Sequence, residues 1–266
     1  MTEEHKLYLK RIKRNKLIIT ISQFSLLTFF IVIWELLSRY NIINSFIFSS
    51  PSKVITTLIN LYQDNNLFIH IFTTSVEVIL SLILSFIVAF LIALILYSFK
   101  TIKKILDPFI VAINSLPKVA LGPLIIIWLG TSTKAIVFNS LLISVIVTFM
   151  TILNGMESCD KDLIKLFKVF KAKKIDILIN LIIPSSKNEI ISALKINLSM
   201  SLIGVIMGEF LSCKKGIGYL ILYGTQVFNL SLVMCGILIL SLLSFIFNIL
   251  INTLEKTITK DKNSTS

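Results

Sequence analysis

The sequence predicts an all-α integral membrane protein with six transmembrane helices and one large cytoplasmic segment between spans 4 and 5. Three observations predict this class. Hydrophobic residues make up 55% of the 266 residues, and the mean hydropathy of +0.90 is far above that of soluble domains. Several uncharged apolar runs reach the ~20 residues that a membrane-crossing helix needs. Basic residues collect between alternate runs, as they do in multi-pass proteins.

Four of the six spans are strong apolar runs, and two are weaker. The strong runs cover residues 17–37, 78–97, 135–153 and 230–251. The weaker candidates, residues 105–129 and 190–211, contain charged residues, and the first of them also contains three prolines. The run at 17–37 is too long for a cleavable signal, and no small-x-small site follows it. We therefore expect it to be a membrane anchor.

The distribution of basic residues predicts the topology. The net charge is +12, and with the N-terminus inside, 19 of the 26 Lys and Arg residues fall in the cytoplasm and five outside. This asymmetry predicts a cell-membrane protein with both termini in the cytoplasm, and it explains the basicity without a nucleic-acid partner. The expected organisation is a basic cytoplasmic arm (1–16), the anchor (17–37), an extracytoplasmic loop (38–66), a five-span core (67–254) and a cytoplasmic tail (255–266).

Residues suited to metal or covalent chemistry are sparse. The three cysteines have no C-x-x-C spacing, and there are only two histidines, so we expect no metal site and no cofactor. The sequence has no G-x-x-x-x-G-K-[ST] motif and should not bind ATP through a P-loop. An integral membrane enzyme is a remote alternative, because Asp64, Asp107 and Glu209 are too widely spaced to suggest a catalytic cluster.

The stretch LPKVALGPLIIIWLG at residues 116–130 has the hydropathy of a span but contains residues that disrupt one. Pro117 and Pro123 each remove a backbone donor, and Lys118 at membrane depth costs roughly 3 kcal/mol on insertion scales. Broken backbone and charge are tolerated where they line a cavity or are buried in protein. We therefore expect this segment to face a path through the bundle, with Gly122 and Pro123 allowing it to bend.

Two charged residues within the spans have competing interpretations. Lys118 either lines such a path or pairs structurally with Asp107 or a backbone carbonyl. Glu209 lies near the outer end of span 5, where it could form an interfacial ion pair with Lys214 or Lys215.

The largest polar segment, residues 156–188, is cytoplasmic by the charge count. Residues 161–171 predict an amphipathic helix with lysines on one face. Its apolar face consists of Leu163, Leu166, Phe167 and Phe170. The KAKK stretch at 171–174 predicts a joint, and a second helix over 175–183 should stop at Pro184. The basic helix either lies on anionic membrane lipid or packs its apolar face under the bundle and docks a partner protein.

Two short helices are expected outside the membrane. One covers residues 54–62, after the turn SSPSK. The other covers IGYLILYG within the glycine-containing segment SCKKGIGYLILYGTQVF, because that apolar run is too short to cross a bilayer.

Three stretches, by their order and spacing, carry a resemblance to a known family: SSPSKVITTLINLYQDNNLFIHIFTTSVEVILSLILSF, then LPKVALGPLIIIWLGTSTKAIVF, then GEFLSCKKGIGYLILYGTQVF. Over about residues 34–256 the chain resembles the permease subunit of type I ABC importers, in the branch that carries sulfonates, taurine, nitrate and vitamin precursors. The resemblance implies a translocation path for a small anion or vitamin precursor. It also implies three partners: a separate ABC ATPase subunit, an extracytoplasmic substrate-binding protein and a second permease copy, expected to form a homodimer.

The resemblance also implies site residues. The residues beside the translocation path would be Pro117, Lys118, Gly122, Pro123 and Glu209. The outer segment that follows matches through Gly216, Gly218 and Tyr219. One departure lies in span 2, where the family commonly has Arg and this chain has Glu77.

In that family the segment before span 5 is the coupling region, which inserts into a groove of the ATPase. Its pattern is Glu-Ala-Ala, three residues, Gly, and later Ile-x-x-Pro. Pro184 matches, but the Glu-Ala-Ala falls on Lys165, Leu166 and Phe167, and the Gly falls on Lys171. We therefore expect the joint at Lys171 to take ordinary helical geometry or to meet a roomier, acidic groove.

The membrane component of an energy-coupling-factor vitamin transporter is the alternative within transport, since it also uses cytoplasmic coupling helices. The segments at 116–130 and 208–220 argue against it.

Overall fold

The computed structural model describes residues 3–64, 66–212 and 214–260. All regular structure in these ranges is helical, which confirms the all-α class. The α-helices are α1 (Glu3–Arg39), α2 (Ser45–Phe48), α3 (Pro51–Gln63), α4 (Asn66–Ser98), α5 (Lys100–Ser115), α6 (Gly122–Leu129), α7 (Thr133–Glu157), α8 (Lys161–Val169), α9 (Lys174–Ile177), α10 (Ile183–Ser185), α11 (Lys187–Ser212), α12 (Ile217–Gln226) and α13 (Leu230–Lys260). A 3₁₀ turn, Lys118–Leu121, precedes α6, and a π-helical turn, Leu178–Ile182, joins α9 to α10.

Five of the described helices, α1, α4, α7, α11 and α13, are long and apolar enough to cross a membrane. The segments Lys100–Ser115 and Lys118–Leu129 pass the same test together, but they meet at an angle of 80°. Counted as one broken span, this pair, hereafter the bent span, brings the number to the six that the sequence predicts.

The residues at the break explain the bend. Leu116 has extended backbone, with φ of −69° and ψ of 140°, because a residue that precedes a proline is disfavoured in helical conformation. Helix α5 therefore ends before Pro117. Pro123 lies in the first turn of α6, where its missing N–H costs no intrahelical hydrogen bond.

Helices α4, α7 and α11 form the centre of the bundle. An added Cβ at Gly204 of α11 would collide with the Ser140 backbone of α7, and one at Gly208 would lie 3.0 Å from the Ile136 Cα. The Asn139 side-chain amide donates to the Gly204 carbonyl at 2.9 Å. Small residues and interhelical hydrogen bonds are the usual means of packing helices in lipid, so these contacts set the spacing of the core.

Helix α1 is joined to the bundle near its C-terminal end. Glu35 accepts hydrogen bonds from the backbone N–H and hydroxyl of Ser52, at 3.1 and 3.0 Å, and Ser52 lies in the first turn of α3. From residue 11 to residue 32 every side chain of α1 is exposed. The predicted arm continues this helix, which runs unbroken from Glu3. The two short helices expected over 54–62 and at IGYLILYG are confirmed as α3 and α12, and their position outside the membrane stays a prediction.

The expected helix stop at Pro184 is wrong. Helical backbone continues from Lys174 to Ser185, and α11 begins at Lys187 after the single residue Ser186. A proline inside a helix lacks its N–H and crowds the carbonyl four residues earlier. The π-helical turn at Leu178–Ile182 widens the backbone just before Pro184, and such local π turns accommodate a missing bond.

Cysteine labelling tests the predicted orientation. Cys159 and Cys235 are buried, and Cys213, which lies outside the described residues, is replaced by Ser. In this background, Asp64→Cys should react with an impermeant thiol reagent in intact cells, whereas Thr257→Cys should react only after permeabilisation. Both positions are exposed, and the charge asymmetry places them on opposite sides. Labelling of Thr257→Cys in intact cells would contradict the topology.

Candidate functional site

Lys118 lies at the corner of the bent span. Its Nζ donates to the Asn114 side-chain oxygen at 3.0 Å and more weakly to the Asn114 carbonyl at 3.4 Å. The alternative in which Lys118 pairs with Asp107 is wrong, since Asp107 is exposed on α5 and the ammonium bonds to Asn114 instead. The carbonyl alternative corresponds to the weaker bond. The lysine is only partly buried, so its charge is accessible.

Gly122 attaches the bent span to the rest of the bundle. It is buried, and an added Cβ would lie 2.5 Å from the Leu211 side chain of α11. Ile125, one turn later, is also buried, whereas Pro117 and Pro123 are exposed. No residue of α5 is buried in this chain. The second arm of the bent span is therefore buried against the bundle. The first arm is largely exposed and contacts the bundle at one edge, where Lys103 pairs with Glu157 of α7 at 2.6 Å and Ile110 packs against the core.

Glu209 is the centre of a buried polar cluster at the end of α11. Its side chain is 0% exposed. The Thr74 hydroxyl donates to Oε1 at 2.6 Å, and the Gly218 N–H donates to Oε2 at 2.5 Å. The expected ion pair with Lys214 or Lys215 is therefore wrong: both lysines are exposed, and the carboxylate turns inward.

The outer segment closes over this carboxylate because two of its residues are glycines. Gly216 has a φ of +110°, which favours glycine, and an added Cβ at Gly216 or Gly218 would collide with the Glu209 carboxylate. The Gly216 N–H donates to His70 Nδ1 at 3.0 Å, and Tyr219 stacks on the His70 ring at a centroid distance of 6.1 Å. The three predicted outer residues thus lie together with Glu209.

Sequence reasoning missed part of this cluster. Thr74 and Glu77 come from α4, and Thr133 of α7 donates to Glu77 Oε1 at 3.1 Å. The available signal was the polar run TTSVE just inside an apolar helix, with Thr74 and Glu77 three residues apart and therefore on one helix face.

Helix α8 packs only one edge of its predicted apolar stripe under the bundle. Phe167 and Ile164 are partly buried against the hydrophobic cluster at this end of the core. Leu163, Leu166 and Phe170 are exposed, the last by 76%. The alternative in which the whole apolar face packs under the bundle is therefore wrong for these three residues, because the 164/167 edge of the short helix is the one that faces the bundle.

The joint after α8 is a Schellman turn with lysine in the position that glycine usually takes. Lys171 has a φ of +56°. Its N–H donates to the Lys168 carbonyl at 2.9 Å, and the Ala172 N–H donates to the Phe167 carbonyl at 3.1 Å, the pair of bonds that defines this motif. The expectation of ordinary helical geometry at Lys171 is therefore wrong: the backbone takes the left-handed conformation although the residue is not glycine.

The family profile described as "Binding-protein-dependent transport system inner membrane component" matches residues 85–260, more than half of the chain. The chain belongs to this family. Membership confirms the resemblance to type I ABC importer permeases and makes the chain a transport component rather than an enzyme. The permease is a multi-pass inner-membrane protein, and its family works in general with an ABC ATPase and a substrate-binding protein.

Similar proteins extend over most of the permease. The formylaminopyrimidine transport permease protein ThiX of Halalkalibacterium halodurans is 26% identical over 228 residues, covering 84% of this chain and 89% of that protein. The taurine transport system permease protein TauC of Escherichia coli is 21% identical and covers 86% and 85%. The riboflavin transport system permease protein RibX of Chloroflexus aurantiacus is 24% identical and covers 58% of each chain.

The region matched by the family profile includes the segment where the permease departs from the family's coupling pattern. Lys165, in the Glu-Ala-Ala stretch, forms an exposed ion pair with Asp162 at 2.8 Å, and its neighbour Leu166 is also exposed. Lys171 stands where the family has glycine and keeps a positive φ.

Replacement of this lysine tests the turn. Lys171→Gly should raise the thermal midpoint of the purified permease by about 2 °C, since relief of left-handed strain contributes about 1 kcal/mol. Lys173→Gly is the matched control: Lys173 has an ordinary φ of −69°, so glycine there should gain nothing and add disorder to the unfolded chain. Equal or lower stability of Lys171→Gly relative to Lys173→Gly would contradict the assigned turn.

Proposed function

We propose that the permease forms the translocation path for a small organic or inorganic anion or a vitamin precursor, as one half of a homodimer with all termini in the cytoplasm. The observation that carries the proposal is the bent span, which holds a partly exposed lysine at the corner of an 80° break within an apolar segment. A single accessible cation at membrane depth suits an anionic group. The names of the formylaminopyrimidine and taurine permeases support this class of substrate.

The largely exposed first arm of the bent span supports a second copy. Helix α5 is part of a segment apolar enough to enter a membrane, yet it buries no residue against its own chain. A twofold partner would bring the two bent spans face to face and enclose Pro117, Lys118 and Pro123 between them. Membrane lipid would cover the remaining exposed apolar surface, including much of α1. Glu209, although enclosed within one subunit, would hold the outer end of this path through α12.

Substitution of Lys118 distinguishes a role in lining the path from a purely structural role. Lys118→Met should preserve membrane levels and lower substrate uptake by roughly 10–100-fold, the equivalent of a charged hydrogen bond of about 1.5–3 kcal/mol. Asn114→Ala removes the intrachain bond but keeps the charge, so uptake should fall far less. Lys100→Met, at an exposed position on α5, is the control for loss of charge. Equal losses in Lys118→Met and Asn114→Ala would assign Lys118 a structural role.

We propose that the exposed side of α8 and the Lys171 turn dock onto the ATPase. Leu166, Val169 and Phe170 are 49%, 76% and 76% exposed in a segment that is otherwise polar, and exposed apolar clusters with a polar rim mark protein contacts. Lys168 and Lys171 provide that rim, so an acidic groove would complement it. Phe167 would hold the segment against the bundle, and Pro184, which is exposed, would lie in the helical stretch that leads to α11.

Charge placed on this surface should release the ATPase. The double change Leu166→Asp with Phe170→Asp should reduce co-purification of the ATPase at least about tenfold, since interface anchors typically carry 2 kcal/mol or more. The fold should survive because both side chains are exposed. Val227→Asp, similarly exposed after α12, should leave the complex intact. Undiminished co-purification with the double variant and with a deletion of residues 161–174 would assign α8 to the lipid surface instead.

A further inference from the structure

The carboxyl groups of Glu77 and Glu209 lie together in the core, between α4 and α11. The side chains are 1% and 0% exposed, and the two carboxyls are within hydrogen-bonding reach of each other. Thr74, one turn before Glu77, bonds directly to Glu209. Thr74 and Glu77 therefore share the face of α4 that is directed at Glu209.

The donors around this pair are distributed unequally. Both oxygens of Glu209 accept a hydrogen bond, from Thr74 and Gly218. Glu77 accepts one, from Thr133 to Oε1, and its Oε2 is buried without any partner. A buried carboxylate oxygen without a donor is costly, and two adjacent buried anions are costlier still. If both carboxyls are ionised, the pair therefore lacks a positive charge to balance it, and Glu77 Oε2 lacks a hydrogen-bond donor.

The neighbouring groups do not provide that charge. The titratable or charged residues facing or flanking the pair are His70 on α4, Lys134 on α7, and Lys214, Lys215 and Tyr219 after α11. The three lysines are exposed. His70 uses Nδ1 to accept the Gly216 N–H. Among the described residues, the hydrogen-bond donors to the two carboxylates are two threonine hydroxyls and one backbone N–H.

We propose that Glu77 and Glu209 bind one proton between them, carried on Glu77 Oε2 and donated to the Glu209 carboxylate. The proton supplies both missing elements, a donor for Oε2 and one unit of positive charge. The pair then holds a single negative charge, which Thr74 and Gly218 stabilise at Glu209. Protonated carboxyl pairs of this kind titrate as a unit.

A metal ion fits the site less well than a proton. A hard cation requires several oxygen ligands, and the Thr74 oxygen is already engaged, donating to Glu209 and accepting the Ile217 N–H at 2.8 Å. The carboxylate of Glu209 is packed so closely that an added Cβ at Gly216 or Gly218 would collide with it. A proton adds no volume.

The shared proton makes the attachment of the outer segment sensitive to pH. Glu209 holds α12 through Gly218, and Thr74 holds it through Ile217. At neutral pH the folded pair binds a proton that exposed glutamates in the unfolded chain do not, so stability falls as pH rises. Loss of the proton leaves two adjacent buried anions, which would repel α4 from α11 and loosen α12.

Infrared spectroscopy of the purified full-length permease in D₂O tests the proton directly. At neutral pH the wild-type protein should show a protonated-carboxyl carbonyl band, and Glu77→Gln should lose it. Glu189→Gln is the matched control, because Glu189 also has a buried oxygen without a partner but lies at the other end of α11. Absence of the band from the wild type, or its persistence in both Glu77→Gln and Glu209→Gln, would overturn the proposal.

Thermal unfolding against pH provides a second, independent measurement. The midpoint of the wild type should fall from pH 6 to pH 9, and Glu77→Gln, a neutral side chain of equal size, should flatten that fall. Glu77→Arg, which supplies a permanent positive charge, should also flatten the fall of the midpoint with pH. The two variants are independent, so the measurement remains decisive if one of them folds poorly. His70 and the lysines remain in both variants. An unchanged slope, or stabilisation of the wild type by sodium over N-methylglucamine at fixed pH, would overturn the shared proton.

Discussion

Close approach of α7 and α11 is the constraint on which the rest of the structure depends. Between helices in a bilayer there is little hydrophobic driving force, so packing must come from backbone proximity and interhelical hydrogen bonds. Gly204 and Gly208 provide the proximity, and Asn139 provides a bond to the Gly204 carbonyl. Helix α4 joins the same unit through Ser85, whose hydroxyl donates to Asn197 of α11 at 2.7 Å. Larger residues at the two glycines would separate the helices and loosen each of these contacts.

The functional elements are attached to this central unit at its two ends. At one end, Glu209 holds α12, and Leu211, two residues later, contacts the bent span at Gly122. At the other end, Phe167 and the helical stretch through Pro184 connect α8 to the hydrophobic cluster of the core. A movement of α11 relative to α7 would therefore displace both the bent span and α8. This common attachment would connect the proposed ATPase contact at α8 to the bent span.

Charged residues inside the bundle follow one rule with one exception. Lys195 of α11 pairs with Glu255 of α13 at 2.7 Å, and Lys118 bonds to Asn114, because an isolated charge at membrane depth is expensive. Glu77 and Glu209 are the exception, since two groups of the same sign are buried together. A shared proton is the smallest addition that would compensate the second negative charge of this pair.

The sequence by itself determined the class, the spans and the position of the break. The class and the spans follow from hydropathy, which reports the cost of exposing apolar segments to water. The break follows from the local restriction that Pro117 places on the residue before it. Neither depends on which residues pack against the segment. Ordinary helical geometry, one of the two alternatives for Lys171, and the helix stop at Pro184 were wrong, because turn bonds and a π-helical turn override local preference there. Only the tertiary structure decided the partner of Glu209. Thr74 is 135 residues away in the chain, and no local pattern encodes which buried polar groups meet when three helices pack.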